Sequence, residues 1–333
     1  MMCLHCVHIY FTDKKWDDLM RAAQARQRSI NASGTVKNHK YNVKQYLIFC
    51  FHNKVDPLAP NLQQVAVWME VLLNKQLSPD TIANKISSVR RYISLSQGDI
   101  SGVNHIRIKN LIESIKKSRE YTSRAKKPIP AQGIHIIVNS ISENIKGIIF
   151  KSAVLLLLWG GYRQSDISSM YQRSFDPRYD MTRTDMELHK DHMVITLKWS
   201  KNIRKFGQEN SKVIMSASDK NICPVSAMKT MCSLIPTKKL SDPLFMFPDR
   251  SPVPVTYLRA QWKKLLKDNN LDSKTYSLHS LRKTAATLTV EQGLDSVHVT
   301  RFIGWNSTQA KFHYIQNNSQ KWANRALDQA LSV

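Results

Sequence analysis

His279-Ser280-Leu281-Arg282 opens a stretch that runs through Phe302-Ile303-Gly304-Trp305 to Tyr314. Residues three apart on a helix share one face, so the His279 imidazole and the Arg282 guanidinium can address one small anionic object. A Gly-Trp turn follows, and a tyrosine stands nine residues beyond the tryptophan. Upstream, Gly160-Gly161-Tyr162-Arg163-Gln164-Ser165-Asp166 sets a second arginine directly after a glycine pair, with a carboxylate three residues on. Taken singly, each fragment is ordinary. A His-x-x-Arg is most often surface decoration, and Arg163 with Asp166 on one helical face would read as a plain ion pair.

The charge balance sets the class of partner. Over 333 residues, 49 Lys+Arg stand against 25 Asp+Glu, a formal net charge of +24. An excess spread along the chain favours a polyanion, with phosphate contacts that give salt-sensitive affinity. The length suffices for about two domains with separate cores. The longest apolar run, Ala153 to Trp159, is far short of the ~20 residues that cross a bilayer, so no membrane is expected. No basic segment precedes the mildly apolar start, and no signal peptide is expected. Five cysteines argue against a disulfide framework. Cys3, His5, Cys6 and His8 suggest zinc, but a closed structural site wants two separated ligand pairs, and no second pair follows. No metal and no cofactor is expected. Cys50, Cys223 and Cys232 sit in apolar helical patterns and read as core residues.

Residues 1–15 carry no pattern and read as a leader. Helices fill 16–120. Ser33-Gly34 opens one carrying Tyr41, Val43, Tyr46, Leu47 and Cys50 at helical spacing, broken by Pro57 and Pro60. Val65 to Leu72 gives a second apolar face. Ser78-Pro79-Asp80 predicts an N-cap with proline at the first helical position, and Ile82, Ile86, Val89 and Ile93 line one side of the helix it starts. A fourth helix lies near Asn104 to Arg119. Between Arg107 and Lys127 there are eight Lys/Arg, and the stretch closes on Pro128-Ile129-Pro130. That is a basic, proline-ended linker, placed at 121–130. In the following domain, 131–333, an apolar helix over Ile145–Trp159 is stopped by Gly160-Gly161. Met193, Ile195, Leu197 and Trp199 alternate as a strand, Val213–Met215 returns, and 200–211 is a basic hairpin tip. Helices resume over Pro224–Leu234 and Tyr257–Lys267, and an amphipathic one runs from about 319, with Trp322, Ala326, Leu327, Ala330 and Leu331 on one stripe. The fold class is mostly α with a small antiparallel sheet, an α+β domain behind an all-helical one.

The order Gly161-Tyr162-Arg163-x-x-Asp166, His279-x-Leu281-Arg282, Gly304-Trp305, Tyr314 resembles the tyrosine recombinase (phage integrase) family, whose motifs run G-[LY]-R-x-x-[DE], H-x-L-R, G-[HW] and Y. The resemblance covers most of the chain. It implies an all-helical core-binding domain joined by a linker to the catalytic domain, the two clamping duplex DNA. It also implies site-specific recombination without metal or ATP, through a 3′-phosphotyrosyl link and a Holliday junction. A homotetramer that exchanges the C-terminal helix between protomers is implied as well. Two alternatives stand beside it: a type IB topoisomerase-like nicking-closing enzyme, and a non-catalytic DNA-binding protein on the same fold.

The chemistry fits these residue types. Metal-free phosphoryl transfer spreads charge over non-bridging oxygens, and fixed cations must surround it. Arg163 and Arg282 suit this, because a guanidinium fork donates two parallel hydrogen bonds to a phosphate; Asp166 would orient the first. Tyr314, with a free pKa near 10, must lose its proton as it attacks. His279 could accept that proton or hold a phosphate oxygen. The departing 5′-oxygen needs a general acid, which the resemblance assigns to a hairpin lysine. Lys201 in Ser200-Lys201-Asn202 matches that spot best, and Lys198 on the strand is the alternative. Trp305 can donate through its indole N–H but cannot shuttle protons. Tyr162, Tyr276 and His313 read as packing or surface residues. Lys85, Arg90, Arg91, Lys116, Lys117, Arg124, Lys126, Lys127, Lys198, Arg204 and Lys205 are candidates for DNA contact.

Overall fold

Ser78 accepts a hydrogen bond from the Thr81 N–H at 3.1 Å, and Pro79 takes the first helical position. A computed structural model provides the structure, which describes residues 33–118, 126–199 and 210–304. The chain divides into two compact units, 1–123 and 124–333. In the first, the Ser78 cap starts α3 (Pro79–Leu95). Before it come α1 (Ser33–Asn53) and α2 (Leu62–Asn74); after it come the single turn α4 (Ser101–Asn104) and α5 (Ile106–Lys117). Asn61 and Gln64 cap each other reciprocally at the start of α2, each satisfying one orphan N–H at 2.9 Å. Ile82, Ile86, Val89 and Ile93 are fully buried, as their spacing predicts, against Tyr46 and Trp68, whose rings meet edge-on at 5.0 Å.

Lys85 requires a correction. It lies three residues past Ile82, on the buried stripe, and is only 4% exposed. Its ammonium donates to Asn42 Oδ1 at 3.1 Å and to Gln45 Oε1. Desolvation lowers its pKa, with the charge of Lys75 adding to the effect. A cation spent on two interior amides is not presented to a phosphate, so Lys85 leaves the set of DNA candidates.

The second unit is built around α7 (Ile145–Trp159). Nearly every side chain from Ile149 to Leu158 is buried, a helix apolar all round and therefore enclosed on all sides. It packs against α9 (Pro224–Leu234) and α11 (Leu278–Glu291). Each leucine so buried contributes roughly 1.5–3 kcal/mol. Before it lies α6 (Ala131–Asn139); after it come the single turn α8 (Gln164–Ile167), a three-stranded antiparallel sheet, α10 (Val255–Asp268) and α12 (Ser296–Ile303). The strands β1 (Met186–Leu188), β2 (His192–Leu197) and β3 (Asn210–Met215) lie in that order, with Met193 opposite Ile214 and Ile195 opposite Lys212. The mostly helical fold with a small antiparallel sheet is the one expected. One register differs from the sequence pattern. Val213 and Met215 are 63% and 55% exposed, and it is Lys212 and Ile214 that turn toward the core face.

Two local features position the site. First, residues 126–130 are stitched onto the second unit as a strap. Lys126 Nζ donates to the Ser273 and Lys274 carbonyls, and the Lys127 N–H donates to Thr275 at 3.1 Å. The Ile129 N–H donates to Thr284 Oγ1 at 2.7 Å, and Lys283 Nζ donates to the Lys126 carbonyl at 2.6 Å. Second, α7 ends at Gly160, and Gly161 takes the left-handed conformation at φ +58°. A Cβ on Gly161 would come within 2.8 Å of Ile303 Cδ1.

Gly161→Ala should therefore suffer twice, from a left-handed alanine (about 1–2 kcal/mol) and from collision with α12. Gly293→Ala, also at positive φ but with nothing within 4 Å, should suffer only the first. Urea unfolding should rank the loss at Gly161 above that at Gly293; equal losses would mean that the turn and α12 do not press together.

Candidate active site

The turn that ends α7 hands the chain directly to Arg163. This residue is not inside a helix, as the sequence spacing suggests, but is the N-cap of α8, with extended backbone at φ −79° and ψ 147°. Its own N–H donates to Asp166 Oδ2 at 2.9 Å, while its guanidinium lies 3.9 Å from the same oxygen. Asp166 thus fixes both the backbone and the charge of Arg163. Burial pushes the Asp166 carboxyl up; the Arg163 N–H and the charges of Arg163, Arg282 and Lys212 work against that.

From α11 come His279 and Arg282. Arg282 is buried, and its guanidinium donates to the Gly161 carbonyl. That carbonyl follows the C-terminus of α7, where oxygens are left unsatisfied and the helix dipole is negative. His279 lies one turn N-terminal to Arg282. Desolvation by nearby atoms, then Arg282, Lys283 and Arg163, lower its pKa to about 4. The residue keeps part of its surface open to solvent. The imidazole is neutral at pH 7 in the free protein and can accept a proton.

Lys212 joins the group unannounced by the sequence. From β3 it donates to the Gly160 carbonyl at 2.8 Å and to the Phe302 carbonyl, and it sits 4.7 Å from the centre of the Tyr162 ring. Burial, then Arg282 and Arg163, draw its pKa down to about 8, with Asp166 opposing. The pattern that could have revealed it is a lysine in phase with Ile214, on the inward side of a two-residue alternation.

The structure thus brings together Arg163, Asp166, His279 and Arg282. Lys201, Trp305 and Tyr314 lie outside the described residues, as do Arg124, Arg204, Lys205, the metal-like Cys3–His8 cluster and the C-terminal amphipathic segment. Lys198, the alternative general acid and a DNA candidate, is tied up in an ion pair with Asp185 at 2.9 Å and a bond to the Pro177 carbonyl at 3.0 Å. Both contacts compete with either role. Of the other DNA candidates, Arg90 is half-buried and reaches the Val103 carbonyl at 3.3 Å, and Arg91 is half-buried. Lys116 pairs with Glu113 at 2.9 Å and Lys117 is exposed. Lys126 serves the strap, and Lys127 is exposed. Tyr162 is a buried packing residue and Tyr276 packs against the core. Beside His279 opens a cavity of about 450 Å³ whose rim includes Arg259, Lys263 and Tyr276; Arg259 Nε donates to Gln164 Oε1 at 3.1 Å. Among the described residues no group of three His, Cys, Asp or Glu could hold a metal ion, and no helix is long and apolar enough to cross a membrane.

The sequence profile of the phage integrase family matches residues 129–321. The chain belongs to that family. Solved structures share the fold at low identity. The Tn1549 transposon integrase, in complex with transposon right-end DNA, is 15% identical with a TM-score of 0.62, over 91% of this chain and 98% of that one. The site-specific recombinase XerH, bound to a palindromic difH substrate in a post-cleavage complex, is 17% identical with a TM-score of 0.57, over 80% of this chain and 71% of that one. A lambda integrase dimer bound to a COC′ core site is 13% identical with a TM-score of 0.55, over 89% and 93%. No curated protein matches the chain by sequence.

Asp166→Ala should lose the carboxylate acceptor that caps α8, about 0.5–2 kcal/mol, whereas Asp166→Asn keeps an acceptor and should recover most of it. Thermal unfolding of the pair measures this, and equal losses would assign the effect to charge alone. In an NMR titration of the free protein the His279 imidazole should stay neutral well below 6.5; a midpoint at or above 6.5 would contradict the cationic surroundings described.

Proposed function

We propose that the protein is a site-specific DNA recombinase or integrase that cuts and rejoins DNA through Tyr314. The observation that carries this is the convergence of Arg163, Arg282 and a neutral His279 around the turn at Gly160-Gly161, within the stretch that matches the family. Double-stranded DNA is the partner. The scissile phosphate sits between the two guanidinium groups, whose forks bind the non-bridging oxygens and neutralise charge that grows in the transition state. Asp166 holds Arg163 in place. The Tyr314 oxygen attacks phosphorus in line and gives up its proton, which His279 can take. The bond from phosphorus to the 5′-oxygen breaks, Lys201 protonates the leaving oxygen, and a 3′-phosphotyrosyl link remains. The Trp305 N–H holds a phosphate oxygen or buttresses the tyrosine. Attack by a partner strand's 5′-hydroxyl reverses the chemistry and exchanges strands through a Holliday junction, with the bond energy kept in the link.

The helical unit, joined through residues 121–130, serves as the core-binding domain that clamps the duplex together with the catalytic domain. The assembly on DNA is a homotetramer in which the helix from about 319 reaches the neighbouring protomer, a ring contact. The exposed Lys117 and Lys127, with Arg124, Arg204 and Lys205, contact backbone phosphates, so affinity falls with salt.

On a nicked substrate that traps the product, the wild-type chain should accumulate covalent DNA. Tyr314→Phe should abolish it while binding stays within about threefold, and Arg282→Ala or Arg163→Ala should slow it by at least about 100-fold. Unchanged covalent yield in Tyr314→Phe would refute the assignment. Plasmid relaxation without strand exchange would favour nicking and closing, and no covalent product from any substrate would leave a DNA-binding protein.

A further inference from the structure

Lys212 interrupts the apolar inner face of the sheet. Strands β2 and β3 pair it with Ile195, whose exposure is 0%, so an ammonium stands where the sheet otherwise presents apolar side chains to the core. Its ammonium donates to two carbonyls at the ends of two different helices: Gly160, the C-cap of α7, and Phe302, in the last turn of α12. The rings of Tyr162 and Phe302 flank it, at 4.7 and 5.4 Å to their centres. Cations at helix C-termini are favourable, and two such ends meet here on one side chain. The neighbouring charges are unfavourable on balance: Arg163 and Arg282 repel it, and only Asp166 attracts it.

Helix α12 ends immediately after this contact. Gly304 adopts the left-handed cap at φ +70° and ψ +50°, and its N–H closes the last turn on Thr300 at 2.8 Å. The chain that continues from Gly304 carries Trp305 and Tyr314. Whatever fixes the last turn of α12 against the Gly160-Gly161 turn therefore fixes the point of departure of the nucleophile's segment relative to Arg163 and Arg282.

We propose that Lys212 is a positioning residue for the nucleophile, a clamp that ties the end of α12 to the arginine-bearing turn. This rests on the function proposed above. The clamp acts through backbone carbonyls and touches no reacting atom. It differs from the role given to Lys201, since Lys212 donates its hydrogens inward to two carbonyls rather than to a leaving group. Lys212→Met keeps the length of the stem and takes the donor from two carbonyls, each of which costs stability where it stays buried, so it should lose the tie together with some stability.

The experiment uses the full chain with Lys212→Met, Lys212→Gln and Lys212→Arg, beside Lys201→Ala. Hydrogen exchange reads the clamp without activity: the Ile303 and Gly304 amides should exchange at least about tenfold faster in Lys212→Met than in the wild type, and Lys212→Arg should restore most of the protection. Covalent complex formation on a trapping substrate should fall about tenfold or more in Lys212→Met, with DNA affinity within threefold and the native circular dichroism spectrum retained at the assay temperature. A substrate with sulfur in place of the bridging 5′-oxygen needs no general acid; it should relieve Lys201→Ala and leave the Lys212→Met defect in place. If Lys212→Met does not fold, Lys212→Gln, which is shorter and uncharged but keeps a polar end, takes its place. Unchanged exchange at the end of α12, wild-type cleavage by Lys212→Met, or full relief of its defect by the sulfur substrate would each overturn the proposal. Absence of covalent product in the wild type would instead count against the recombinase reading, and the exchange measurement would still decide the clamp.

Discussion

The hydrogen bond from the Arg282 guanidinium to the Gly161 carbonyl is the constraint on which the site is built. It spans 121 positions of sequence and fastens α11 to the end of α7. A buried cation is tolerable only when its donors are taken up and counter-charge is close. Here the carbonyl at the end of an apolar helix accepts from one guanidinium nitrogen, and Asp166 supplies the counter-charge. Because α7 is enclosed on every side, its end cannot drift, and Arg163, which follows at once, inherits that rigidity.

The electrostatic character of the site follows from the same arrangement. Arg163, Lys212 and Arg282 crowd around one carboxylate; desolvation and then the charges of Arg282 and Arg163 lower the pKa of both His279 and Lys212, with Lys283 adding to the effect at His279. A centre with this surplus is incomplete without an anion. Under the function proposed above, a phosphodiester would supply the opposing charge and raise the proton affinity of His279. The basic excess of the whole chain works in the same direction at longer range.

Much of this was legible in the sequence. Ile145–Trp159 and Pro224–Leu234 are helices over the residues that the apolar runs and the glycine and proline signals mark. His279 and Arg282 do share a helix. What was hidden had physical causes. The Arg163–Asp166 spacing is the same for a helical ion pair and for a cap, and only the extended backbone at Arg163 tells them apart. In β3 the run Val213-Ile214-Met215 is apolar throughout and marks no inner face; the structure turns Ile214 inward, with Lys212 in phase with it and received by two helix-end carbonyls. Lys85 looks like a surface cation because its amide partners, Asn42 and Gln45, are about forty residues away. The helix α6 and the strand β1 are too short to carry a period that could be read.

The strap formed by residues 126–130 moves the practical edge of the second unit. A fragment started at Ala131, just past the proline pair that closes the connector in the sequence, would strip α11 of its bonds to Ile129 and leave the Thr284 hydroxyl, which has no solvent exposure, without a mate. One begun a few residues earlier, ahead of Lys126, carries its own fastening. What looks in the sequence like a tether between two bodies is in its last five residues a hem sewn into one of them.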